Sequence, residues 1–211
     1  MCGRYYIDQE EDIAEMRRIL EEVNRKFYGT DALGAVKTGD IAPTHIVPVL
    51  RPDQNVPAGR IMIDLMQWGF PQYRGKGVLI NARAETAAEK PLFRTALRQG
   101  RILIPASAFF EWRHDPDGRK GSKVKLSLDN EPIFYMAGIS RTFSEDAHAI
   151  TPLRRFVILT TAANASVAPI HDRMPLILPR RFLRSWLLDD TATDELLRLA
   201  VENPLRLTET A

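Results

Sequence analysis

The residue with the most chemistry open to it stands at position 2. Removal of an initiator methionine is favoured when the next residue is small, and Cys2 qualifies. The mature chain would then begin with an α-amine and a thiol on adjacent carbons. Their ordinary pKa values are about 7.7–8.0 and about 8.5, so both are reactive near neutral pH. A 1,2-aminothiol condenses with an aldehyde to an imine, and the thiol then closes onto the imine carbon to give a five-membered thiazolidine. Position alone equally allows Cys2 to be a small buried hydrophobe in a first strand.

Three further groups could assist such a nucleophile. The run Asn81-Ala82-Arg83-Ala84-Glu85-Thr86 places an amide, a guanidinium and a carboxylate together, which suits a sugar or phosphate as well as it suits a helix cap. Glu111 lies between Phe109-Phe110 and Trp112. A carboxyl among aromatic rings tends towards a raised pKa and general acid–base work, whereas on a simple alternating strand it would face water. His171, in Pro169-Ile170-His171-Asp172-Arg173-Met174-Pro175, can transfer protons near pH 7 or serve as a structural hydrogen bonder. No G-x-S-x-G serine elbow and no phosphate-binding glycine loop accompanies them. One cysteine makes no disulfide, and four histidines without ligand spacing give little basis for a metal.

Residues 8–27 read as an amphipathic helix with Ile13, Met16, Leu20, Val23 and Phe27 on one face, Asp8 and Glu11 as a capping box, and Gly29 as the stop. Pro48 inside Ile46–Leu50 suggests an edge strand. Strands follow at 61–68, running into Trp68-Gly69, and at 78–81. Pro91 to Arg98 reads as a helix stopped by Gly100. Strand-like runs cover 101–112, 123–128, 133–140 and 155–161, with a turn at Asp115-Pro116-Asp117-Gly118. Two short helices, 180–188 and 193–201, close the chain. Strands without regular βα alternation predict one α+β domain over residues 1–211, with a mainly antiparallel, barrel-like sheet and peripheral helices.

With 211 residues, 45% hydrophobic and 27% charged, the chain is neither disordered nor too small for a core. No apolar run is long enough for a membrane span, and the amino terminus resembles no targeting peptide, which points to the cytoplasm. The net charge is only +2. Its distribution is uneven: residues 94–125 hold eight basic and three acidic side chains, and residues 189–211 hold two basic and six acidic ones. A basic middle permits a polyanionic partner without requiring one.

Met1-Cys2-Gly3-Arg4, Trp68-Gly69, Asn81 to Thr86, Phe110-Glu111-Trp112 and Ile170 to Pro175 occur in that order over residues 1–175. In these segments the chain closely resembles the SRAP family, the SOS response-associated peptidase-like proteins; residues 176–211 match only as a helical tail. The resemblance implies a mostly β fold and a DNA-damage protein that recognises abasic sites in single-stranded DNA and crosslinks itself to them. It implies Cys2 as nucleophile, Asn81 holding the amine or sugar, Glu111 managing protons, and His171 assisting sugar opening or product release. Arg4, Arg83 and Arg94 match phosphate-contacting positions, and Trp68 an aromatic contact to DNA. No cofactor or metal is implied, and a monomer is expected. Tyr5 stands where the family often has Phe, and Phe110 where it often has Tyr. The family's peptidase label leaves a cysteine-dependent (auto)peptidase using Cys2, Glu111 and His171 as an alternative, and a non-catalytic single-strand binder as a third reading.

Overall fold

The computed structural model describes residues 2–8, 13–56, 59–72, 75–114, 120–129, 131–143, 154–199 and 204–210. Its strands are β1 (Arg4–Ile7), β2 (Gly39–Ile41), β3 (Ile46–Pro52), β4 (Ile61–Trp68), β5 (Phe70–Pro71), β6 (Val78–Leu79), β7 (Asn81–Arg83), β8 (Arg101–Ala106), β9 (Ala108–His114), β10 (Lys120–Leu128), β11 (Phe134–Arg141), β12 (Arg155–Ala162), β13 (Arg173–Pro175), β14 (Ile177–Leu178) and β15 (Leu205–Thr210). The helices are α1 (Ala14–Lys26), α2 (Asp31–Gly34), α3 (Ala84–Ala87), α4 (Pro91–Gln99), α5 (Leu183–Leu188) and α6 (Thr193–Leu197), with a 3₁₀ turn at Arg180–Phe182 before α5.

One antiparallel sheet runs β15-β10-β9-β1-β2. In the other, β12 pairs with β4, β4 with β3, β3 with β8, β8 with β11, and β11 with β12. Those five strands close a ring, which abolishes edges and gives the barrel its core. β7, β13 and β14 attach to its rim. The ladders of β12 with β4 and with β7 are parallel, and the remaining ladders between these strands are antiparallel. The fold is thus α+β with a mostly antiparallel core and peripheral helices.

Burial follows the pleat. In β1 the inward Tyr5 and Ile7 are fully buried, while Arg4 and Tyr6 face out. All six residues of β8 are buried, as expected of a wall strand covered on both faces. In α1, Met16, Ile19 and Val23 are buried, and Ile13, Leu20 and Phe27 pack at the margin of the core, so the face foreseen from the heptad-like spacing is the one used.

Four local expectations are corrected. The helix begins at Ala14 rather than residue 8. Asp8 instead gives its backbone N–H to Ser107 Oγ at 2.9 Å, and Ile13 caps without a side-chain bond; Glu11 lies outside the described residues. The run 101–112 is two strands in different sheets, broken at Ser107, whose N–H bonds the Tyr6 carbonyl at 2.9 Å. β3 is an inner strand, not an edge. Its ladder to β8 registers at Leu50–Leu103, two residues past Pro48, so the missing proline N–H lies outside the paired stretch on that side. The tail is not wholly helical: α6 ends at Leu197, and Leu205–Thr210 forms β15 along β10. The turn foreseen at 115–118 lies outside the described residues.

Gly69 gives the Trp68-Gly69 pair its physical sense. Its φ is +116°, and an added Cβ would sit 2.8 Å from the Val78 side chain. Its N–H bonds Phe156 O at 2.7 Å, so the backbone cannot simply move away. Gly69→Ala is expected to lower stability by about 2 kcal/mol. Urea unfolding checks this, and an unchanged midpoint would show that the turn relaxes freely.

Candidate active site

Cys2 and Asn81 meet across 79 residues of sequence. The Asn81 Nδ2 donates to the Cys2 carbonyl at 2.9 Å. Asn81 opens β7, which lies along β12 in register with Ile158, so the barrel fixes the amide. Cys2 is fully buried, and its thiol donates to the Arg4 carbonyl at 3.5 Å. Burial, and then the nearby Glu111 carboxylate, push the thiol well above its ordinary pKa, so it stays protonated at rest.

Glu111 comes from the other sheet. Arg4 registers with Phe110, which sets the start of β1 beside the stretch of β9 that carries Glu111. The side chain is 2% exposed, not turned to water as a plain alternating strand would allow. Burial pushes its carboxyl up to about 7, the range in which a group both takes and gives protons at neutral pH. The Asp172 carboxylate contributes to that rise, which brings the neighbour of His171 into the same electrostatic field.

His171 itself is half-buried, and its Nδ1 lies 2.9 Å from the Arg173 backbone nitrogen and 2.8 Å from Asp172 Oδ1. The first contact uses a bare Nδ1 and the second one that carries a proton, so a single state of the ring makes only one of the two. Arg173 locks this loop in place. It clamps Glu85 through two bonds of 2.7 and 2.8 Å and bonds the Thr160 carbonyl at 2.6 Å. Arg173 thereby holds Glu85 below the usual carboxylate range. Two separate sequence segments, Asn81–Thr86 and Ile170–Pro175, are joined by that clamp over β12.

The residues expected at DNA divide. Arg83 is exposed and lines, with Asn81, Lys90 and Phe93, a cleft of about 520 Å³. Arg4 is part-exposed and pairs with Asp40 at 3.2 Å. Arg94 is not brought to the Asn81 cleft; it lines a separate one beside Arg98, Asp190 and Asp194. Trp68 is corrected outright: it is 0% exposed, stacked on Phe156 and tilted against Tyr5, with its indole N–H on the Ile80 carbonyl at 2.9 Å. A ring so enclosed supports Ile80 and the adjoining Asn81 and offers no face to a base. The basic stretch is also partly spent within the chain. Arg101 is buried on the Trp186 carbonyl and Asp190, and Arg113 pairs with Glu209.

A family model described as SOS response associated peptidase matches residues 1–209. The chain belongs to the SRAP family. Among its relatives, the abasic site processing protein YoqW of Bacillus subtilis is 32% identical over 191 residues, covering 89% of this chain and 80% of the relative. The abasic site processing protein YedK of Escherichia coli is 30% identical over 204 residues, covering 95% and 85%. A crystal structure of a Bacteroides thetaiotaomicron protein shares the fold with a TM-score of 0.74 at 22% identity, covering 100% of this chain and 92% of that one. The SRAP match reaches into β15, beyond the residues whose motifs carry the resemblance.

One residue of this site escapes the sequence: Arg173 lies inside the Ile170–Pro175 motif, but its partner Glu85 is 88 residues away. The Glu111 environment generates a pH dependence of stability. A carboxyl whose folded pKa of about 7 exceeds its ordinary value of about 4.5 binds its proton more tightly in the folded state. Its contribution is therefore full below the ordinary range and is lost as pH rises through 7, a loss of roughly 3 kcal/mol. Glu111→Gln should remove that slope, as read from denaturant midpoints between about pH 4.5 and 8; parallel curves for the two proteins would contradict it.

Proposed function

We propose that this SRAP protein captures abasic sites in single-stranded DNA as a covalent thiazolidine on Cys2 after removal of Met1. The observation that carries the reading is the Asn81 amide on the Cys2 carbonyl, beside a buried Glu111 whose carboxyl stands near 7. The naming of the Bacillus and Escherichia relatives as abasic site processing proteins supports it. An opened abasic site presents an aldehyde at C1′. The amine freed by Met1 removal belongs to the residue that Asn81 holds, so its approach is fixed. It attacks C1′, Glu111 accepts the ammonium proton, and the same carboxyl returns it as hydroxide leaves the carbinolamine. The thiol then adds to the imine carbon and its proton passes to nitrogen. His171 and Asp172, on the barrel side, handle protons at the sugar oxygen during ring opening and reversal. Arg83 and Lys90 flank the cleft and take phosphates. The missing base spares the unstacking that an intact nucleotide would demand.

The peptidase alternative needs a thiolate attacking a carbonyl. Burial and Glu111 hold the Cys2 thiol protonated, which weighs against it and favours the amine as first nucleophile.

Intact mass after incubation with an abasic single-stranded oligonucleotide should show a denaturant-stable adduct. Cys2→Ala should lose it, retaining at most an imine that borohydride traps. A chain with an uncleavable residue before Cys2 should bind DNA without crosslinking. Normal stable yield from either variant would sink the mechanism.

Binding should also weaken with salt, by about 0.7 in log–log slope for each phosphate contacted. Arg83→Ala is expected to flatten the slope by about that amount, and Arg94→Ala to leave it unchanged because Arg94 faces the other cleft. Equal flattening by both variants would place the DNA track across α4 instead.

A further inference from the structure

Glu85 stands in α3, four residues after Asn81, and Arg173 stands two residues after His171. Their ion pair therefore joins the segment that holds Cys2 to the segment that carries His171. Two bonds of 2.7 and 2.8 Å make the pair a fork, the geometry in which a guanidinium holds a carboxylate most firmly. A third bond, of 2.6 Å, takes the same guanidinium to the Thr160 carbonyl. The Arg173 side chain is 12% exposed, and its Nε is buried without a hydrogen-bond partner among the described residues. The side chain thus leaves one donor unsatisfied while both terminal nitrogens are held. Arg173 is also the first residue of β13, whose ladder to β12 runs only from Arg173–Ala162 to Pro175–Thr160. So short a ladder holds its first residue weakly, and the side-chain clamp supplies the remaining hold.

The group fixed there is the Arg173 backbone N–H, whose nitrogen lies 2.9 Å from His171 Nδ1. The competing contact, Asp172 Oδ1 at 2.8 Å, comes from a side chain that is 80% exposed and shared with water. Whichever partner Nδ1 takes decides the tautomer. With Nδ1 accepting from the backbone, the single proton of a neutral imidazole stands on Nε2. Resting on the crosslinking reading above, we propose that Glu85 is a positioning residue, holding Arg173 so that its backbone N–H selects the Nε2–H tautomer of His171. A neutral ring in that form is a hydrogen-bond donor at the sugar oxygen. In ring opening the C1′–O4′ bond breaks, its electron pair goes to O4′, and the Nε2–H stabilises that oxygen as charge builds on it. O4′ takes up a proton from water, the C1′ hydroxyl gives one to water, and the C1′–O1′ bond becomes the carbonyl. Without the clamp, Nδ1 carries the proton towards Asp172, and Nε2 turns from donor to acceptor.

Glu85→Gln keeps the shape of the side chain, removes its charge and tests this. The first readout needs no DNA: nitrogen NMR of the His171 ring, assigned against His171→Gln. The neutral ring of the wild type should be the Nε2–H form, and in Glu85→Gln the Nδ1–H form should rise until the two coexist. Arg173→Lys, which keeps the charge but cannot form the fork, should do the same. The second readout is single-turnover crosslinking with two oligonucleotides, one carrying the closed abasic sugar and one an open-chain aldehyde. Glu85→Gln should slow the first reaction by about threefold to tenfold, the worth of one hydrogen bond, and leave the second at the wild-type rate. A wild-type tautomer in both variants overturns the proposal, and so does a changed tautomer with an unchanged rate on the closed sugar. Equal slowing on both substrates with a lower melting temperature also overturns it, by making the clamp a structural tie. Failure of the wild-type protein to give any adduct would instead overturn the crosslinking reading, and the tautomer of the free protein is measured independently of that.

Discussion

The bond from Asn81 Nδ2 to the Cys2 carbonyl is the contact on which the geometry of the site depends. A residue near the start of a chain is tethered on one side only, so something distant must hold it. β1 does part of this by pairing with β9 and β2, but β1 begins at Arg4, two residues too late. Asn81 supplies the remainder, and it can do so because β7 is carried by β12. β12 in turn pairs with β4, β11 and β13, so the amide is anchored to the most connected strand of the barrel. Arg173, reaching Glu85 and the Thr160 carbonyl, ties the His171 loop to the same frame.

Burial then decides the chemistry. Cys2, Tyr5 and Glu111 are all enclosed, and desolvation moves each towards its neutral form. A site kept neutral at rest does not present a thiolate to the solvent, which limits oxidation and unwanted acylation. In the proposed reaction it favours the amine over the thiol as first nucleophile, since an amine needs only to lose one proton to a carboxyl titrating near 7. Charge outside this pocket follows a different logic. The basic middle and the acidic tail look like an interface and a counterweight in composition. In the fold they partly neutralise each other, through Arg101 with Asp190 and Arg113 with Glu209. A buried Arg101, bonded also to the Trp186 carbonyl, ties α5 to β8.

The α+β class, the helix faces of α1 and α4 and most strand positions were legible because periodicity is local. Pairing is not. Residues 101–112 read as one strand-like run, and the exchange of sheets at Ser107 is made by contacts with Tyr6 and Asp8, about a hundred residues earlier. Pro48 read as an edge because the reading could not know that β8 pairs past it. The same division runs through the site. Cys2, Asn81, Glu111 and His171 stand out in the sequence by residue type and motif. Trp68 was misplaced because an aromatic beside a glycine reads alike whether it faces DNA or supports the strand next to it. Arg173 was illegible in role, since it takes its meaning from Glu85, 88 residues away in sequence.

Glu111 and His171 belong to different halves of the molecule, and this has a mechanical consequence. Glu111 is carried by the five-stranded sheet, and His171 and Asn81 by segments bound to the barrel. Their separation is therefore not set by any one loop but by how the two sheets pack. Tyr5 on Trp68 and Phe109 against Phe134 are aromatic contacts across that junction, and Trp68 stacks in turn on Phe156 of the neighbouring barrel strand. Close-packed rings transmit displacement rather than absorb it. The geometry between Glu111 and His171 is thus stored in apolar contacts between the two sheets. Trp68 sits at the centre of them, and its place in the core is as consequential for the site as a contact with DNA would have been.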